Sequence, residues 1–188
     1  MRVMSLHRRF VGALGLMAVL VLAPVEASER FTATAAVNGA RGGAATVPLT
    51  IVVDNFSTDA ERESLLRALK EGGTSGRDLL ARRRAVGSLQ IGTRSTPIKY
   101  AYAVSTGDRR LITVVTGSPI VLDDARGAAP AARPGFDLGL VLLEVPSSGA
   151  GTGDLVPATK IRVEQDSTIV TEDASPDLVK LSNVTARK

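Results

Sequence analysis

Beyond residue 27 the chain contains no cysteine, histidine, methionine or tryptophan. Whatever it folds into must therefore stand on an apolar core, with no disulfide and no thiolate or imidazole metal site to staple it. The one histidine is His7 and the three methionines are Met1, Met4 and Met17, all upstream of that point. A domain of roughly 160 residues can bury nearly 70% of its unfolded surface, so an unaided core suffices. With 44% apolar and 22% charged residues, the 188-residue chain has the composition of a globular domain and not of a disordered, collagen-like or multi-spanning one.

Residues 1–27 have the pattern of a secretory signal peptide. A basic start (Arg2, Arg8, Arg9) precedes an apolar run from Phe10 to Ala23, followed by Pro24 and Val25-Glu26-Ala27. The pattern predicts cleavage after Ala27, and the run is shorter than the roughly 18 residues that cross a bilayer as a helix. The expected mature protein is secreted or periplasmic, spans no membrane and forms a single β-rich domain over 28–188. The Arg8-Arg9 pair is followed directly by Phe10 and favours general secretion over a twin-arginine route. The leader holds three of the 23 basic residues and one of the 19 acidic ones, so the remainder is close to charge balance. That balance gives little field for a phosphate backbone, and no nucleic-acid partner is expected.

The same missing residue types narrow the chemistry. Zinc, copper, haem and iron–sulfur sites lean on imidazole, thiolate or thioether ligands, and Ser-His-Asp or Cys-His catalysis needs an imidazole base. No cofactor is expected, and only a carboxylate site for a hard cation stays open. Acidic pairs at Asp123-Asp124 and Glu172-Asp173, the latter near Asp177, are the candidates for one, though neither has EF-hand spacing. A hydrolase working with two carboxylates is the remaining enzymatic alternative. Five aromatic residues beyond the leader offer it little sugar-binding surface.

Hydrophobic periodicity predicts an α+β, mostly antiparallel fold. Phe31, Ala33, Ala35 and Val37 alternate, Asn38-Gly39 and Gly42-Gly43 supply turn chemistry, and a β-branched arm runs from Thr46 to Asn55. Thr58 and Glu61 are spaced as a capping box ahead of the stripe Leu65, Leu66 and Leu69, and Gly72-Gly73 would end that helix. Ser75 and Asp78 open a second, shorter helix carrying Leu79 and Leu80, so a helical hairpin follows the second strand.

Strand patterns then return. Leu89 and Ile91 form a short one, Ile98, Tyr100, Tyr102 and Val104 share one face of the next, and Leu111–Thr116 reads as an interior strand. Further strands are expected at Ile120–Leu122, Phe136–Val145, Leu155–Glu164, Thr168–Thr171 and Leu178–Val184, with a long loop over 123–135 and a Gly/Ser tip at Ser147–Gly153. The expected architecture is a sandwich or partly closed barrel of about nine strands with an inserted helical hairpin.

Two groups stand out as candidate sites. Tyr100 and Tyr102 on one strand face could line a ligand cavity inside the sheet, although such residues are more often core. Arg77, Arg82, Arg83 and Arg84 could hold an anionic partner, although cations also suit a helix C-terminus. Gly149–Gly153 lacks the helix and the Gly-Lys-Ser/Thr of a nucleotide-binding turn, and Pro97 breaks the Thr96-x-x-Lys99 spacing for a helical nucleophile site.

The stretch Val53-Asp54-Asn55-Phe56-Ser57-Thr58-Asp59-Ala60-Glu61-Arg62, with Leu65, Leu66, Leu69 and Lys70, resembles a group of uncharacterised secreted bacterial proteins carrying a VD-x-x-STDAER stretch. The likeness continues through Val86-Gly87, Tyr100, Pro119-Ile120, Leu143-Glu144 and Ala158–Ile161. It implies secretion and one fold over nearly the whole mature domain, and it implies no mechanism. The functional expectation is non-catalytic: a small molecule bound in a β cavity or, alternatively, an envelope-associated structural or interaction role with an envelope protein as partner.

Overall fold

The computed structural model describes residues 28–38, 44–71, 75–122, 137–165, 168–171 and 178–187. The alternating first arm and the β-branched second arm become β1 (Glu29–Asn38) and β2 (Ala44–Val53), paired in unbroken register from Glu29 opposite Val53 to Asn38 opposite Ala44. The helical insert follows as α1 (Asp59–Lys70) and α2 (Ser75–Arg82). Thr58 and Glu61 form the expected reciprocal cap: the Glu61 amide donates to the Thr58 hydroxyl at 3.3 Å, and the Thr58 amide donates to the Glu61 carboxylate at 2.8 Å. That amide bond, with the Arg83 guanidinium nearby, holds the Glu61 carboxyl below its ordinary pKa despite some desolvation.

The remaining strands are β3 (Gly87–Ile91), β4 (Arg94–Thr106), β5 (Arg109–Thr116), β6 (Leu138–Pro146), β7 (Gly151–Thr159), β8 (Ile161–Val163), β9 (Ile169–Thr171) and β10 (Val179–Arg187). Eight of them close into a barrel in the order β1-β10-β7-β6-β5-β4-β3-β2, and β8 pairs only with β9 in a separate small sheet. The fold is thus α+β and antiparallel as expected, with closure complete. Closure leaves the main sheet without an unpaired edge.

The register is strongly staggered. One row runs from Glu29, the first residue of β1, through Val53, Gly87 and Ile98 to Thr116, the last residue of β5, while on its other side β1 pairs with β10 from Arg30 opposite Arg187 to Ala36 opposite Lys180. Stagger tilts the strands and fixes the radius, and eight strands leave an interior about wide enough for side chains to fill. All eight strands send side chains into that interior, among them Phe31, Ile51, Leu89, Ile112, Val141 and Leu181, each no more than 2% exposed.

A second apolar cluster lies outside the wall. Leu65 and Leu66 of α1, Leu80 of α2 and Ile169 of β9 pack on Tyr100, Val115, Leu140 and Val156 of β4 to β7. This layer explains the doubly apolar pattern of β5, where Val114 faces the barrel core and Val115 faces the helices. The other half of the wall is solvated, with Thr46, Pro48, Gln90, Lys180 and Ser182 exposed.

Three expectations change. Ile120–Leu122 is not a strand, because the chain turns inward there: the Gly117 amide donates to the Pro97 carbonyl and the Ile120 amide to the Pro157 carbonyl, while Ile120 and Leu122 enter the barrel core. The Gly/Ser tip is shorter, because Gly151 and Gly153 belong to β7. A Cβ at Gly151 would lie 2.1 Å from the Glu144 carbonyl oxygen and one at Gly153 2.5 Å from that of Leu142, so the approach of β6 requires glycine at both. The stretch Leu155–Glu164 splits at Lys160, where the chain leaves the barrel for β8. The loop at 123–135, the Gly72-Gly73 helix end and the residue 39–43 turn lie outside the described residues.

Candidate functional site

The tyrosine and arginine candidates lie among the described residues. Between Ile98 and Tyr100 the β4–β5 register slips by one residue, so Lys99 bulges out of the ladder. The bulge reverses which face the following side chains occupy. Ile98 points into the barrel, whereas Tyr100 and Tyr102 point outward beneath the helices, so the shared face expected for these three residues is broken at Lys99. The two rings stack with centroids 6.4 Å apart, and Tyr100 is 1% exposed. They line no lumen.

These rings lock the helical layer to the wall. The Tyr102 hydroxyl donates to Asp59 at 2.7 Å, the Arg62 guanidinium lies 5.1 Å from the Tyr102 ring centroid and that of Arg83 lies 6.0 Å from the Tyr100 centroid. The hydrogen bond to Asp59 raises the pKa of Tyr102, and burial raises that of Tyr100 further. Lys99, freed from the ladder, donates to the Arg83 carbonyl at 2.7 Å and so supports the end of α2.

Two of the four arginines are engaged in ion pairs. Arg77 pairs with Asp137 at 2.9 Å and Arg83 with Glu61 at 2.9 Å, while Arg82 and Arg84 are exposed. The acidic candidates Asp123, Asp124, Glu172, Asp173 and Asp177 lie outside the described residues. Among those described, no group of three His, Cys, Asp or Glu side chains could hold a metal ion.

Two features that sequence reasoning missed define the barrel's ends. At one end Arg110 of β5 donates twice to Glu29 of β1, at 2.5 and 2.9 Å, across strands that stand opposite each other in the eight-strand order. The Glu29 side chain is 7% exposed, and its hydrogen bonds raise the Arg110 pKa above the ordinary arginine value. Phe56, arriving from β2, lies under the same guanidinium at 5.7 Å and packs on the core. A charged strut and a ring thus seal this end.

The other end is closed by Ile120 and Leu122, with Ile120 0% exposed. Their chain segment is anchored by the Thr116 hydroxyl, which donates to the Ser118 carbonyl at 2.6 Å and accepts from the Gly139 amide at 2.9 Å. Gly139 has no side chain because Ile120 and Thr116 occupy the space: a Cβ there would come within 2.5 Å of Ile120. Between this segment and the β3–β4 turn lies a cleft of about 230 Å³. Leu89 and Ile91 form its floor, and Pro119, Val121, Ser118, Ser95, Thr96 and Arg94 form its sides.

The cleft combines concavity, buried apolar surface, hydroxyls and a guanidinium, the ingredients of a small-molecule site. Its sequence signal was faint: Gly92-Thr93 marks a tight turn, but nothing local shows that residues 118–121 return beside it. No family model matches this chain, and no curated protein or solved structure matches it either.

Proposed function

We propose that this is an exported, non-catalytic binding module that holds a small molecule at the end of its barrel, in the cleft between the β3–β4 turn and residues 117–122. One observation carries the reading: the lumen is occupied by side chains and blocked at both ends, whereas the cleft opens above Leu89 and Ile91 with polar groups on its sides. A binding role in a β cavity therefore moves from the lumen to the barrel mouth. The signal-peptide pattern of residues 1–27 supports export with cleavage after Ala27 into a secreted or periplasmic setting. The lack of imidazole and thiol beyond the leader supports binding over catalysis.

The test is thermal unfolding of the domain against a panel of compact amphipathic molecules. A ligand that binds the folded state raises the unfolding temperature with its concentration. Ser118→Phe, which fills the cleft from its rim, should abolish the shift. A shift that survives the substitution would place binding elsewhere and overturn the reading.

A second reading rests on the outer wall. Val104 and Leu111 face each other across β4 and β5, Leu142 lies on the neighbouring β6, and the three are 42%, 45% and 36% exposed. A small apolar strip on a wall otherwise covered or polar suits an envelope protein as partner, the interaction role. Cross-linking at Leu111 should then recover that partner, and recovery of monomer alone would count against it.

A further inference from the structure

We infer that the barrel-end cleft selects a compact monocarboxylate: an anionic head with a short apolar body. This rests on the binding reading above and names its ligand class. In the β3–β4 hairpin Ile91 faces Arg94 and Leu89 faces Thr96. Directly opposed residues in an antiparallel pair project to the same side of the sheet. The guanidinium of Arg94 and the hydroxyl of Thr96 are therefore launched from the same side as the apolar floor, which is 1% exposed at Leu89 and 7% at Ile91.

Across the cleft, Ser118 supplies a further hydroxyl, and half-buried Pro119 and Val121 supply an apolar flank. Among the described residues no carboxylate lines the cleft. The polar side is thus built from a cation and hydroxyls, which suits an acceptor-rich anion and repels an ammonium. A guanidinium carries five donors in a planar fork and can serve more than one acceptor, so other bonds of Arg94 do not prevent it from receiving a carboxylate. Size limits the body: about 230 Å³ is below the roughly 300–1,000 Å³ of sites that take drug-sized ligands.

The experiment is calorimetric titration of the intact domain with hexanoate, hexanol and hexylammonium, which share one body and differ in head group. Hexanoate should bind about tenfold or more tighter than either analogue, the range expected for a hydrogen-bonded charge. Arg94→Gln should reduce hexanoate to the affinity of hexanol, and Arg94→Lys should restore part of the difference. If Arg94→Gln does not fold, the head-group series on the unaltered protein decides alone. Equal binding of hexanol and hexanoate would overturn the carboxylate assignment and leave a cleft that binds apolar bodies. Binding by none of the three, or binding insensitive to Ser118→Phe, would overturn the cleft reading itself.

Discussion

The two ends of the barrel are closed by opposite chemistry. At one, Glu29 and Arg110 reach across the full width from facing strands and Phe56 lies beneath the guanidinium. At the other, Ile120 and Leu122 fold inward on a short segment tied by single hydrogen bonds to Pro97 and Pro157. A bidentate ion pair fixes distance and direction with side chains alone. An apolar plug must instead bring its backbone along, and the gap between that backbone and the neighbouring turn is the cleft. On the proposed reading, recognition sits at the plugged end and the ion pair holds the other end shut.

Substitutions at each end can break this contrast. The largest effect is expected at the plug. Ile120→Ala removes a fully buried side chain and should cost about 2–5 kcal/mol, read as a lower denaturant midpoint, and it should weaken cleft binding as well. At the sealed end, Glu29→Ala strands a guanidinium that is partly in water and should cost about 2–3 kcal/mol, somewhat below the value for a fully buried pair. Replacing both partners with Leu and Met should recover most of that loss, because the desolvated charges disappear together. Binding at the far cleft should be unchanged in either sealed-end variant. A loss of affinity there would show that the two ends are coupled.

A smaller effect concerns the helical layer over β4 to β7. The pKa of Tyr102 is raised in the folded state by its bond to Asp59, and that of Tyr100 by burial. Stability gained from a raised pKa is fully present below the unfolded value, about 10 for tyrosine, and is lost as pH climbs through the higher folded value. Urea midpoints should therefore fall on the alkaline side of pH 10, and less steeply in Tyr102→Phe than in the unaltered protein. Equal slopes would mean that the Asp59 bond adds nothing.

What could be read from the sequence was what neighbours in the chain decide. Thr58 and Glu61 announce the start of α1 because a cap spans only one turn, and Gly107 marks the β4–β5 turn because its positive φ of 61° favours glycine. Secondary-structure class and the helical insert followed from periodicity. The misread parts depend on remote contacts. Lys99 looks like one more alternating residue until β5 forces a bulge, and that bulge turns Tyr100 away from Ile98. Ile120-Val121-Leu122 has strand-like composition, but the Ile120 amide bonds to the Pro157 carbonyl alone and the segment joins no ladder. Glu29 and Arg110 lie 81 positions apart, so no local pattern could join them. The cleft inherits that difficulty, since its two sides meet only once the barrel has closed.

The most direct measurement is methyl NMR of the domain labelled at Ile, Leu and Val, titrated with hexanoate. Shifts should appear at Leu89, Ile91 and Val121 around the cleft, while Val114, Val141 and Leu155, buried in the lumen, stay in place. Shifts concentrated at those three lumen methyls, with the cleft silent, would contradict a filled barrel that binds at its mouth.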